Sequence, residues 1–242
     1  MPKTHIIIPC FNEACRIPLT EIETLAHEVN ACLILVNDGS IDNTSEILHA
    51  LAGKLPNQAE CLDLKTNVGK GEAVRLGFRR ALDLGADVLG FVDADMATPA
   101  QDVKRLIETL DERDLDGVFG SRVALLGHQI ERSLIRHYLG RVFATAASLT
   151  LDIPIYDTQC GAKFFRNTPS LKTALESGFC SSWAFDVELI GRLNLLSGAS
   201  RFQEIPLRSW YDKGGSRMSV TAMIQAFLSL IAIRRHLRKY KK

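Results

Sequence analysis

Apolar runs alternate with amphipathic stretches from the start of the chain. Ile6-Ile7-Ile8-Pro9 is a fully apolar run ended by proline, and Cys32-Leu33-Ile34-Leu35-Val36 is a second, ended by Asn37-Asp38-Gly39-Ser40. The spacing between them predicts a helix over 20–29. Strands apolar on both faces with a helix between them point to a parallel sheet covered on both sides. The pattern continues with a helix over 44–51, a strand over 61–64, a helix over 71–84 and an apolar strand over 88–92. This is a Rossmann-like half. Beyond it, Thr98-Pro99 opens a helix to about 110, with proline well placed in its first turn. Residues 118–122 read as a strand, 133–149 as an Ala- and Leu-rich helix and 163–166 as a short strand.

No repeat, linker or low-complexity segment interrupts the series, so one α/β domain is expected over 1–218. Residues 219–242 form a C-terminal helix with a basic tail. Positions 220–233 are apolar almost all round but too short for the ~20 residues of a membrane span. Six of the last nine residues are Lys or Arg. Such a helix either lies at an anionic membrane surface or packs on the domain with a solvated basic end.

The chain's 242 residues, 46% hydrophobic and 24% charged, suit a folded globular protein. The net charge of +1 conceals an asymmetry, since without the six basic residues of the tail the remainder stands at −5. A nucleic-acid binder spreads its basic residues over a working face, so no nucleic-acid partner is expected. The six cysteines lack paired short spacings, which argues for reduced thiols in a cytoplasmic setting. The start of the chain shows no leader pattern.

The candidate chemistry sits behind the strands. Asp93-Ala94-Asp95 follows the 88–92 strand, delivering two carboxylates to the sheet edge where α/β proteins bind ligands. Two such charges repel unless a cation, most naturally a divalent metal carrying a phosphate, lies between them. The same residues also serve as turn formers or helix caps. Pro9-Cys10-Phe11-Asn12-Glu13 and Asn37-Asp38-Gly39-Ser40 open at the same edge, and Asp38 could accept from a base or a ribose hydroxyl. Ser40, Asp42 and Thr44 could equally be capping residues. Asn67-Val68-Gly69-Lys70-Gly71 has the glycines of a phosphate-approaching loop without the spacing of a Walker A motif, which disfavours an ATPase or kinase.

In this order and at these spacings, the four segments resemble the family 2 GT-A glycosyltransferases, inverting enzymes that use nucleotide sugars. Gly120-Ser121-Arg122, the segment from Asp157 to Phe165 and the segment from Trp183 to Leu189 are similar to the dolichyl-phosphate sugar synthases. They lie closer to the β-glucosyltransferase group than to the mannose synthase group. The resemblance covers 5–233. It implies a GT-A fold and a UDP-sugar donor, UDP-glucose first, held by Pro9, Asn12, Glu13, Asp38, Lys70, Gly71, Asp93, Ala94 and Arg217. Asp95, with Asp93, would hold Mg²⁺ or Mn²⁺. The acceptor is expected to be a polyprenyl phosphate, its phosphate held by Arg122 and Arg136, since guanidinium forks bind phosphate bidentately. Arg217 would close over the donor diphosphate. Asp157, Gln159, Trp183, Asp186 and Glu188 are candidates for sugar or acceptor contacts, although helix-surface carboxylates are an equal reading of Asp186 and Glu188.

Mannose-specific members carry a Gln shortly after the second aspartate, where this chain has Met96-Ala97-Thr98, closer to the glucosyl type. A membrane anchor like that of many relatives is not evident, so a peripheral position at the cytoplasmic face of a membrane is expected. GDP-mannose as donor, another glycan or glycolipid acceptor, a non-catalytic nucleotide-sugar-binding module and a membrane-docking scaffold remain as rival expectations.

Overall fold

In the computed structural model, the described residues are 3–131, 134–213 and 220–240, with no side-chain description for 134–137 and 220–224. The N-terminal half follows the predicted alternation. It comprises β1 (Thr4–Cys10), α1 (Leu19–Val29), β2 (Cys32–Asn37), α2 (Thr44–Lys54), β3 (Ala59–Asp63), α3 (Lys70–Asp83) and β4 (Val88–Val92). Then come α4 (Ala100–Glu112), β5 (Gly117–Ser121), β6 (Gln129–Glu131), α5 (Leu134–Leu151), β7 (Ala162–Arg166), α6 (Pro169–Leu175), α7 (Phe185–Ser197), β8 (Phe202–Pro206), β9 (Ser209–Tyr211) and α8 (Val220–Leu237).

Seven strands form one sheet in the order β3-β2-β1-β4-β7-β5-β8, and β6 pairs with β9 in a separate ribbon. All neighbours in the large sheet are parallel except β7, which runs antiparallel to both β4 and β5. The β1, β2, β4 and β5 carboxyl ends therefore share one edge, and the reversed β7 brings its amino end, next to Gly161, to that same edge.

Alternate strand residues enter two cores, as period-2 side chains must. Ile6, Ile8, Leu33, Leu35, Val118 and Phe164 pack with residues of α1, α2 and α4. Ile7, Ile34, Val36, Phe91, Phe119 and Phe165 pack on the other face with α3 and α5 to α8. Phe78 of α3 meets Phe165 edge-on at 5.9 Å, a geometry that adds ~0.5–1.5 kcal/mol to the burial itself. Helix α8 joins this second core through Ala226, Leu230, Ile233 and Leu237, while Leu228 and Ile231 face outward. Among the described residues, no helix is long and apolar enough to cross a membrane.

Candidate functional site

The loops behind β1, β2 and β4 are tied together by their own polar side chains. Asn12 donates its N–H to Ser40 Oγ (3.0 Å) and accepts Ile41 N–H at Oδ1 (3.0 Å). Asp42 accepts the N–H of Ala14 (3.2 Å) and of Thr44 (3.0 Å). Ser40, Asp42 and Thr44 thus bind two loops to one another, a wider role than capping α2. Asp38 is buried, and its two carboxylate oxygens accept the N–H groups of Val68 (2.7 Å) and Gly69 (3.0 Å). Gly39 permits this close seating, because its φ is +65° and a Cβ there would stand 2.4 Å from the Thr66 carbonyl carbon. Asp38 is the clasp of the 67–71 loop and lines neither cavity described below. Gly71 is a packing residue, its Cα side pressed against the Phe185 side chain.

Two cavities meet at one wall formed by Lys70, Asp93 and Asp95. The first, about 440 Å³, opens over Pro9, Glu13, Arg16, Pro18, Ala94 and Lys213. The second, about 290 Å³, continues past Arg122, Arg141, Asp157, Gln159 and Asp186 to an aromatic side that includes Phe143, Trp183, Trp210 and Phe227. The sheet explains the convergence, since Asp93 and Arg122 follow β4 and β5 at the shared edge, and residues 157–161 lead into the reversed strand.

The charges at the wall are unequal. Lys70 Nζ lies 2.6 Å from Asp93 Oδ1. Burial alone would raise the Asp93 carboxyl, but Lys70, then Lys163 and Arg122, hold it below the usual carboxylate range. Asp95 has no ion-pair partner among the described residues, and it accepts Ala97 N–H at Oδ1 (3.0 Å). Burial, reinforced by the Asp93 charge, pushes its carboxyl above the usual range. A half-buried carboxylate facing a cavity, beside a like charge and without its own cation, fits a divalent metal ligand. Asp93 stands beside it, already paired with Lys70. Gly161 makes room for this arrangement: a Cβ there would sit 2.0 Å from Asp93 Oδ2, while its carbonyl accepts Asp93 N–H at 3.0 Å.

Arg122 is committed within the protein. Its Nε and Nη2 donate to Asp157 Oδ2 (2.7 Å) and Oδ1 (2.8 Å), its own N–H also reaches Asp157 (3.1 Å), and the guanidinium lies 5.2 Å from the Trp210 ring. Opposing the effect of burial, Arg122 holds the Asp157 carboxyl far below its ordinary value. Asp157 is fixed in turn by Glu204 of β8, which accepts the N–H groups of Tyr156 (2.6 Å) and Asp157 (2.7 Å). Lys163, fully buried on β7, lies 3.1 Å from Asp186 Oδ1 and donates to Cys160 O.

Of the expected residues, Pro9, Glu13, Lys70, Asp93, Ala94 and Asp95 line the first cavity. Asp157, Gln159, Trp183 and Asp186 line the second. Asn12, Asp38 and Gly71 shape the loops behind them. Asp186 is buried, not a helix-surface group.

Glu188 corrects the sequence reading on both counts. It is fully buried on α7 and accepts from Arg192 Nη2 (2.6 Å), Cys180 N (2.8 Å) and His236 of α8 (2.6 Å), away from either cavity. An α7 turn carries it 200° of helix from Asp186, so the two side chains diverge. The Arg136 side chain and Arg217 lie outside the described residues. Arg141, Lys163, Gly161 and Glu204 were not singled out by the sequence, because each acts through a partner distant in the chain.

The family model for glycosyl transferase family 2 matches residues 5–172. A dolichyl-phosphate beta-glucosyltransferase of Trichomonas vaginalis is 31% identical over 95% of this chain and 70% of the relative. The Saccharomyces cerevisiae dolichyl-phosphate beta-glucosyltransferase is 32% identical over 89% of this chain and 69% of its own length. A polyprenol monophosphomannose synthase of Mycolicibacterium smegmatis is 26% identical over 94% of this chain and 85% of the relative. Among solved structures, glucosyl-3-phosphoglycerate synthase of Mycobacterium tuberculosis, in complex with Mn²⁺, UDP-glucose and phosphoglyceric acid, superposes with a TM-score of 0.71. It does so at 16% identity over 97% of this chain and 80% of that one. The α/β GT-A fold is thereby matched, and the mainly parallel sheet, the edge carboxylates and the sequence similarity agree on one assignment: this chain is a glycosyltransferase and belongs to glycosyl transferase family 2.

Proposed function

We propose that the protein transfers glucose from UDP-glucose to a polyprenyl phosphate, with inversion at the anomeric carbon. The observation that carries this reading is the pair of cavities sharing the Lys70, Asp93 and Asp95 wall. One cavity is polar and sits behind the strand ends where nucleotides bind in α/β folds. The other combines cations with an aromatic side, which suits an anionic group on an apolar chain. Two anionic substrates would then meet at the wall, with the reacting sugar between them.

The acceptor phosphate is already anionic at neutral pH, so it can attack the sugar carbon without a strong base. What the site must supply is placement and charge compensation. Asp95, with Asp93 beside it, would hold Mg²⁺ or Mn²⁺, and that ion would stabilise charge on the departing nucleotide diphosphate. Lys70 keeps Asp93 ionised at the edge of both cavities. Arg217 is proposed as a further cation over the diphosphate.

Glucose is favoured over mannose because glucosyltransferase relatives are 28–35% identical, against 26% for the mycobacterial mannose synthase. A donor panel of UDP-glucose, UDP-galactose, UDP-GlcNAc and GDP-mannose, offered with one polyprenyl phosphate and Mn²⁺, tests the reading. Glucosyl lipid from UDP-glucose is expected; product from GDP-mannose alone would replace glucose by mannose.

A membrane surface is proposed as the place of action. Helix α8 exposes Leu228, Ile231, Arg234 and Arg235, and the turn after it exposes Arg238 and Lys239; each basic residue near an anionic surface contributes ~1 kcal/mol. Sedimentation with anionic liposomes should capture the full chain and lose it when Arg234, Arg235, Arg238 and Lys239 are replaced by Gln, changes that leave Leu237 in the core and His236 beside Glu188. Equal pelleting of both forms refutes the electrostatic role.

A further inference from the structure

Three cations line the aromatic-sided cavity among the described residues, and two are already neutralised. Lys70 is paired with Asp93 and Arg122 is bound bidentately by Asp157. Arg141, on the face of α5 turned toward the cavity, is different. Its guanidinium stacks 3.6 Å from the centre of the Tyr156 ring, and Nη1 donates to the Tyr156 carbonyl at 2.7 Å. No carboxylate among the described residues lies within ion-pair distance of it.

A guanidinium carries five N–H donors in a rigid fork, and here one is used. The stacking contact fixes the plane, which lowers the entropy lost when the free edge takes a ligand. Two more unpartnered polar atoms lie nearby: Gln159 Nε2 and Thr158 Oγ1 are buried without a hydrogen-bond partner, and both residues line the same cavity. Buried donors left unsatisfied are costly unless a ligand completes them. A fixed cation, an amide donor and a hydroxyl in one cavity with Phe143, Trp183 and Phe227 describe the complement of a phosphate monoester on an apolar chain.

We infer that Arg141, with Gln159 and Thr158, is the seat of the acceptor phosphate, and that Arg122 frames this seat through Asp157 instead of serving as its first ligand. The inference rests on the polyprenyl phosphate reading above and assigns the phosphate within it.

The full chain provides its own probe, because it has two tryptophans, Trp183 and Trp210, and both line this cavity. Titration with a short prenyl monophosphate such as citronellyl phosphate, in the presence of UDP and Mn²⁺, is followed by tryptophan fluorescence. The neutral alcohol citronellol serves as the comparator, and KM values for donor and acceptor are measured alongside. Arg141→Gln is expected to weaken the phosphate ligand about tenfold to a hundredfold, the range of a hydrogen bond to a charged group. Citronellol affinity and the KM for UDP-glucose should stay within about twofold, and Arg141→Lys should fall between wild type and R141Q.

A merely structural prop under Tyr156 would weaken alcohol and phosphate alike, and that result overturns the inference. Unchanged phosphate affinity in R141Q overturns it as well while leaving the acceptor reading intact. Wild-type protein that neither binds the prenyl phosphate nor glucosylates it overturns the acceptor reading, and the phosphate seat with it.

Discussion

Replacing Gly161 by alanine places a methyl group where Asp93 now lies. The added Cβ would stand 2.0 Å from Oδ2 and 2.2 Å from Cγ of Asp93, whereas carbon and oxygen rest at about 3.3 Å or more. Relief requires a displacement of more than about 1 Å. The nearest movable group is the carboxylate itself, because the backbone is held by the Asp93 N–H to Gly161 carbonyl bond and by the β4–β7 ladder. Moving it breaks the 2.6 Å contact with Lys70 and misplaces one of the two carboxylates at the wall. A misplacement of this size costs about a hundredfold in rate, or ~2.7 kcal/mol of barrier. Overpacking adds ~1–3 kcal/mol of destabilisation, and each kcal/mol lowers the melting temperature by ~2–4 °C at this chain length. Steady-state glucosyl transfer and thermal melting of G161A, measured together, separate the two effects. A folded variant with kcat/KM within threefold of wild type would show that Asp93 does not need its present position.

The other predictions draw on separate contacts. Asp95→Asn should abolish Mn²⁺ binding measured by calorimetry and, with it, glucosyl transfer. Because a like-charge repulsion with Asp93 is relieved, its melting temperature should be equal or higher; retained metal affinity would reassign the ligand. Arg192→Met leaves the buried Glu188 without its cation and should destabilise the fold by ~3–5 kcal/mol in urea unfolding, while the surviving folded enzyme keeps its donor KM. Asp157 is held below its ordinary range by Arg122, so its contribution to stability is complete above the unfolded value near ~3.9 and declines as pH falls toward the lower folded value. Urea unfolding of Asp157→Asn between pH 7 and pH 3 should therefore show a shallower acid loss than wild type; parallel curves would refute the pairing energy.

Local signals carried the first half of the molecule. Continuous apolar strands such as residues 6–8 and 33–36 mark a sheet covered on both faces, and the helices between them appear within a few residues of their expected bounds. The carboxylates behind β4 were legible because strand ends in such sheets share an edge. The second half was harder to read for identifiable reasons. Helix α7 is buried over residues 185–193, so it has no polar face to betray a helical period, and Glu188 and Arg192 within it resemble surface residues until their mutual pairing is seen. Helix α6 does carry a signal, Thr168 capping Leu171 with Pro169 at the first turn, but at seven residues it has too little periodicity to stand out. That β7 runs backwards is decided by tertiary pairing, which no local pattern of Lys163-Phe164-Phe165-Arg166 encodes. Arg141 carries no local signal, because a single arginine in a helix acquires meaning only from Tyr156, which stacks against it in the folded chain.

The reversed strand has a consequence for how the chain is made. β7 fills the middle of the sheet, yet it is assembled from residues 162–166, after β5 has already left the ribosome. Until it arrives, β4 presents an open apolar edge and β5 has no partner on either side, a state prone to wrong pairing with other chains. Synthesis stalled before residue 162 should therefore yield an aggregating fragment, while release beyond β8 lets the last-placed central strand close both gaps at once. The same insertion that carries Gly161 to Asp93 also joins β4 to β5, so the catalytic edge and the middle of the sheet depend on one strand.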